Sequence, residues 1–147
     1  MSSETVGRPM EILLIEDDLE DAGLTIDALA QGQVKCRVSL VRDGEEALEF
    51  LRQQGKYARA PRPDLILLDL NLPKLNGREV LAEIDNDGRL TEVPVVVLTS
   101  SPAHRDILEE SHLHVEDYLV KPVELDPFLS VVRSLRKYWL ADVILPQ

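Results

Sequence analysis

The stretch Leu65-Ile66-Leu67-Leu68-Asp69-Leu70-Asn71-Leu72-Pro73 constrains the fold most: a short apolar run ends in a single carboxylate. Pro63 bounds the run before, and Asn71 and Pro73 bound it after. Such a run reads as a strand buried on both faces, the mark of a parallel sheet. Asp69 then stands at the strand's carboxyl end, where open α/β sheets place their ligands. In apolar surroundings a carboxylate must be paired, solvated at a cleft mouth or bound to metal. Taken alone, Asp69 reads as a turn residue or helix cap. The ends of the other strands change that reading.

Ile12 to Ile15 is a second continuous apolar run, and it ends in Glu16-Asp17-Asp18. Two charges ~4 Å apart repel by about 4 kcal/mol even at an effective dielectric of 20. Either a solvated loop relaxes that cost, with Asp18 capping the next helix, or the acids gather a cation. Leu19, Ala22, Gly23, Ile26, Leu29 and Ala30 follow at helical spacing, and Gly32 stops the helix. Val34, Cys36, Val38 and Leu40 alternate with polar residues, which predicts a half-exposed edge strand with Cys36 as a buried, inert thiol. Asp43-Gly44 starts a helix with Ala47, Leu48 and Leu51 inward, and Gly55 ends it.

After Gly77, a third helix carries Val80, Leu81 and Ile84 and breaks at Asn86-Asp87-Gly88. Pro94 to Leu98 is a buried strand ending in Thr99. Pro102 opens a fourth helix with Ile107 and Leu108 inward. Asp117 to Val120 is a fifth strand ending in Lys121-Pro122. A fifth helix follows, with Asp126 as cap, Pro127 in the first turn, and Phe128, Leu129, Val132 and Leu135 inward.

Five strands alternating with five helices predict an α/β fold: a doubly wound parallel sheet of order 2-1-3-4-5, flavodoxin-like. Residues 1–9 read as a flexible lead-in, 10–138 as one domain and 139–147 as an apolar tail. A net charge of −11 argues against nucleic acid and anionic membranes as partners. No run approaches membrane-spanning length, residues 1–9 lack a signal-peptide core, and a single cysteine fits a reducing cytoplasm.

In that strand order Glu16, Asp17 and Asp69 converge on one crevice, joined by Thr99 and Lys121. All-oxygen ligands without His or Cys fit Mg²⁺ better than zinc or copper, and a backbone carbonyl near Asn71 supplies a further ligand. Lys121 pairs with Asp69 at rest and with a phosphate oxygen when one is present, to which Thr99 also donates. An Asp carboxylate is a competent nucleophile toward phosphorus when its charge and the incoming charge are neutralised.

These residues together resemble a two-component response-regulator receiver domain, from Glu16-Asp17 through Asp69 and Thr99 to Lys121-Pro122. The resemblance implies that Asp69 is the phosphoacceptor for a sensor histidine kinase. It also implies that Asp17, Asp69 and the Asn71 carbonyl hold Mg²⁺, with Glu16 acting largely through water. Thr99 and Tyr118 would be the switch pair, and Lys121-Pro122 would carry a cis peptide bond. Pro61 to Asp64, Gly77 to Leu81 and the Tyr138-Trp139-Leu140 to Leu145-Pro146 tail look like the stand-alone regulators paired with bacterial and cyanobacterial phytochromes. Glu16 in place of the commoner Asp is a departure that keeps a carboxylate at the metal site.

The competing reading is a Mg²⁺-dependent phosphohydrolase with an aspartyl-phosphate intermediate. Such enzymes usually carry a second acid two residues after the nucleophile, and here that position is Asn71. The chain therefore reads as an acceptor that dephosphorylates itself rather than as a turnover enzyme. His104, His112 and His114 read as surface residues, and Asp18, Glu20 and Asp21 as compensation of a helix dipole. The residues after the fifth helix are too few for a DNA-binding fold, so output is expected through protein contacts. Trp139, Val143, Ile144 and Leu145 form an apolar set expected to join two copies of the chain as a homodimer.

Overall fold

The computed structural model describes residues 9–32, 35–70, 76–90, 92–100 and 115–135. The apolar runs form strands β1 (Met10–Ile15), β2 (Cys36–Val41), β3 (Leu65–Asp69), β4 (Val95–Thr99) and β5 (Asp117–Val120). They pair in parallel as β2-β1-β3-β4-β5, the expected order. The described helices are α1 (Leu19–Ala30), α2 (Gly44–Leu51), α3 (Gly77–Asp85) and α4 (Leu125–Ser134). The helix expected after Pro102, with Ile107 and Leu108, lies outside the described residues. So do Val34, Asn71, His104, His112, His114, Trp139, Val143, Ile144 and Leu145.

Strand alternation divides the core in two. Ile12, Leu14, Leu65, Leu67, Val96 and Leu98 face α1 and α4, meeting Ala22, Leu29, Phe128 and Val132. Leu13, Ile15, Ile66, Leu68, Val95 and Val97 face α2 and α3, meeting Ala47, Phe50, Val80, Leu81 and Ile84. Helices cover both faces of the central strands, which is why β3 is buried at all five positions and its sequence shows no alternation. β2 lies at the edge, as its alternating pattern predicts, and Cys36 is half-buried against the α1 side. Burial pushes the Cys36 thiol up to about 11, which keeps it protonated and inert near neutral pH.

Local differences from the sequence reading have local causes. α2 ends at Leu51 with Arg52 as C-cap, before Gly55; Gly55, at φ +57°, instead opens a short 3-10 turn over Gly55–Tyr57. α4 is entered from Glu124, which makes no side-chain cap, so Asp126 falls in the first turn rather than at the cap. Leu19 holds helical spacing but occupies the first turn of α1 beyond the core, and it is 57% exposed.

Two features of the fold position the site. The sheet order reverses between β1 and β3, so their carboxyl ends adjoin at the crevice. α3 starts on a capping box of Asn76 and Glu79, and Gly77 lets it approach β3 closely. A Cβ on Gly77 would lie 2.7 Å from the Leu70 Cα and 3.0 Å from the Asp69 carbonyl oxygen.

Candidate functional site

Glu16 continues the alternation of Leu14, Asp69 that of Leu67, and Lys121 that of Leu119, so all three fall on the α1/α4 side of the sheet. The ammonium Nζ of Lys121 lies 2.6 Å from Glu16 Oε1 and 3.3 Å from Asp69 Oδ2. Glu16 is fully buried, Asp69 is 6% exposed and the Lys121 side chain 14%. Two carboxylates this deep require a cation between them, and Lys121 is that cation.

The balance of charge is incomplete. Burial first, and then the hydrogen bond with Asp69, push the Glu16 carboxyl up to about 7 against the pull of Lys121. Burial alone would lower Lys121, but the neighbouring carboxylates of Glu16 and Asp69 outweigh it and hold the ammonium above its ordinary value. Glu16 Oε1 is buried without a hydrogen bond of good geometry, although Lys121 sits within ion-pair distance. The contact is thus a charge contact more than a directed hydrogen bond. Glu16 Oε2 accepts from the Asp18 amide at 3.2 Å.

The three acids after β1 divide their work. Glu16 turns inward. Asp18 caps α1 by accepting from the amides of Glu20 and Asp21. Asp17 points outward, half-exposed, with Arg42 Nη2 3.9 Å from its Oδ1. The expected convergence therefore holds for Glu16, Asp69 and Lys121, and Asp17 stands beside it.

Thr99 ends β4 and is 2% exposed, and its carbonyl accepts from the Lys121 amide at 2.8 Å. Tyr118 is half-buried on the α2/α3 side, with Leu70 and Val115 against the same cluster. By alternation from Val97, Thr99 also belongs to that side. The Lys121–Pro122 peptide is cis. Asn71 lies outside the described residues.

Among the described residues, no group of three or more His, Cys, Asp or Glu side chains is gathered tightly enough to hold a metal. The donor chemistry nonetheless fits a hard divalent cation: Glu16 and Asp69 are paired at the crevice, and Asp17 is adjacent with a half-exposed carboxylate. A small number of carboxylates suits Mg²⁺, which keeps several of its waters.

Two residues escaped the sequence reading. Asp21, assigned to the helix dipole, also accepts from Lys121 Nζ at 3.4 Å. Its place one helical turn after Asp17 was the available signal. Arg42 donates to the Asp17 carbonyl at 3.2 Å. Its signal was its place at the end of the strand expected beside β1.

The response regulator receiver domain family matches residues 12–133. Response regulator Rcp1 of Synechocystis sp. is 44% identical over 146 residues, covering 99% of each chain. Among solved structures, the phosphorylated cyanobacterial phytochrome response regulator RcpA is 47% identical with a TM-score of 0.73, over 95% of this chain and 100% of that one. The Mn(2+)-bound form of response regulator Rcp1 is 45% identical with a TM-score of 0.72, over 95% of this chain and 100% of that one.

Proposed function

The chain belongs to the response regulator receiver domain family, and from that premise we propose that Asp69 takes up the phosphoryl group. Receiver-domain response regulators are phosphoacceptors of two-component signalling and pair with histidine kinases; this chain is one of them. One observation supports Asp69 as the acceptor above all: it is the carboxylate at the end of the central strand, 3.3 Å from the Lys121 ammonium.

In the step proposed, an Asp69 carboxylate oxygen attacks phosphorus in line with the phosphohistidine P–N bond. The O–P bond forms, the P–N bond breaks, and the imidazole leaves as a neutral base after taking a proton. Lys121 neutralises charge on the transferred group, and Thr99 donates to one of its oxygens. Tyr118 moves in step with Thr99, forming the switch pair. Receiver domains bind a divalent metal; here we assign Mg²⁺ to Glu16, Asp17, Asp69 and the Asn71 carbonyl. When bound, it would supply charge neutralisation at the acceptor and the phosphoryl oxygens.

The likeness to cyanobacterial phytochrome regulators supports a phytochrome-type kinase as the donor. We assign the receiver to residues 10–138, the lead-in to 1–9 and the tail to 139–147, with Trp139, Val143, Ile144 and Leu145 joining a homodimer. A cytoplasmic location fits this reading; among the described residues no helix is long and apolar enough to cross a membrane. Output runs through a protein contact.

The competing hydrolase reading is separated by one experiment. Incubation with acetyl phosphate and Mg²⁺ gives a stoichiometric protein adduct if the chain is an acceptor. Rapid turnover of a generic phosphate ester with no lasting adduct would favour the hydrolase.

A further inference from the structure

Arg42 has no place in the chemistry above, yet the fold fixes it against that chemistry. Ile15 and Val41 are register partners, and the Glu16 amide donates to the Val41 carbonyl at 3.0 Å. The residues that follow, Asp17 and Arg42, are thereby brought side by side at the carboxyl ends of β1 and β2. The Arg42 backbone is itself held, since its amide donates to Glu46 Oε1 at 3.0 Å. From that anchored root the guanidinium Nη2 reaches the Asp17 carbonyl at 3.2 Å and the Asp17 carboxylate at 3.9 Å.

We propose that Arg42 is a positioning residue that holds Asp17 away from Glu16 and Asp69 in the metal-free protein, so that a divalent cation must draw Asp17 off the guanidinium. The inference rests on Asp17 being a metal ligand. Glu16 and Asp69 are already held by Lys121, so Asp17 is the carboxylate whose orientation decides whether a third donor faces the crevice. Arg42 opposes the cation in two ways. It occupies the ligand, and it places a positive charge beside the incoming one. One nitrogen, Nη2, makes both contacts: it donates a hydrogen bond to the Asp17 carbonyl and lies at ion-pair distance from the carboxylate. Both side chains are about half-exposed, 54% for Arg42 and 50% for Asp17, so the effect is modest and screened by salt.

The test is calorimetric titration of Mg²⁺ and Mn²⁺ into the unphosphorylated full chain at low ionic strength, comparing wild type, Arg42→Ala and Arg42→Lys. Arg42→Ala is expected to bind the metal about two- to fivefold more tightly, the size of an exposed pair. Arg42→Lys keeps the charge and loses the guanidinium hydrogen bond to the Asp17 carbonyl, so it is expected to lie between wild type and Arg42→Ala. Arg42→Ala binding no more tightly than wild type overturns the inference. Arg42→Lys binding like wild type while Arg42→Ala binds more tightly also overturns it, because charge alone would then account for the change. Wild type that binds neither ion overturns the assignment of the metal site and this inference with it.

Discussion

Lys121 Nζ lies 2.6 Å from Glu16 Oε1, closer than the 3.3 Å that separates it from Asp69 Oδ2. The lysine at rest therefore serves Glu16 first. Its partner is fully buried and reaches the crevice on the longer of the two acidic side chains, so Glu16 takes the inner position that Asp17 does not. Two expectations follow from this arrangement, and a third from the close approach of Gly77 to β3.

The first concerns pH. Glu16 is raised from 4.5 to about 7, so the folded protein binds more protons than the unfolded chain between those values. The stability that Glu16 contributes is present below pH 4.5 and is lost as pH rises through 7. Glu16→Gln mimics the protonated form. In metal-free solution it should match wild type near pH 5 and exceed it at pH 8. Urea unfolding at both pH values measures this. A wild type that gains on Glu16→Gln as pH rises would contradict the assignment.

The second concerns the cation. Lys121→Met leaves Glu16 and Asp69 facing each other without an ammonium. The expected cost at pH 8 is about 1–3 kcal/mol, at the lower end for a site that solvent still reaches. Combining it with Glu16→Gln should recover much of the loss, because only one buried charge remains. If the two changes simply add, the contact seen between Lys121 and Glu16 carries no coupling in solution.

The third concerns Gly77. A methyl group there meets backbone of Leu70 and Asp69, which cannot rotate aside. Gly77→Ala should destabilise by about 1–3 kcal/mol and slow phosphorylation, because β3 must shift where it presents Asp69. Thermal unfolding and acetyl phosphate labelling report the two effects. Normal stability with normal labelling would mean that the loop yields freely.

Much of the fold was legible because β3 and β4 are buried on both faces and therefore continuously apolar. Their polar ends, Asp69 and Thr99, marked the crevice, and the edge position of β2 was legible from its alternation. The helix ends were less so. Asp126-Pro127 is a good start signal in isolation, but the chain leaving Lys121-Pro122 enters the helix earlier, at Glu124. Within the site, the sequence named the carboxylates but not their allocation. Strand alternation after Leu14 gives Glu16 its face, but its pairing depends on where Lys121 arrives, and that is not a property of the local sequence. Arg42 and Asp21 were hidden for the same reason: their partners come from other elements.

The tail carries a separate expectation. Four large apolar side chains, each contributing about 1.5–3 kcal/mol when buried, would offset much of the entropy of association. Sedimentation should show the intact, phosphorylated chain as a dimer at micromolar concentration and a chain truncated after Tyr138 as a monomer. An intact chain that stays monomeric under those conditions would remove Trp139, Val143, Ile144 and Leu145 from the interface.

Chemical trapping identifies the acceptor. The protein is treated with acetyl phosphate and Mg²⁺, the acyl phosphate is trapped by borohydride reduction, and the modified peptide is sequenced by mass spectrometry. Reduction converts a phosphorylated aspartate to homoserine, so that change is expected at Asp69 and should disappear in Asp69→Asn. Trapping at another residue in wild type, or labelling undiminished in Asp69→Asn, would contradict Asp69 as the acceptor.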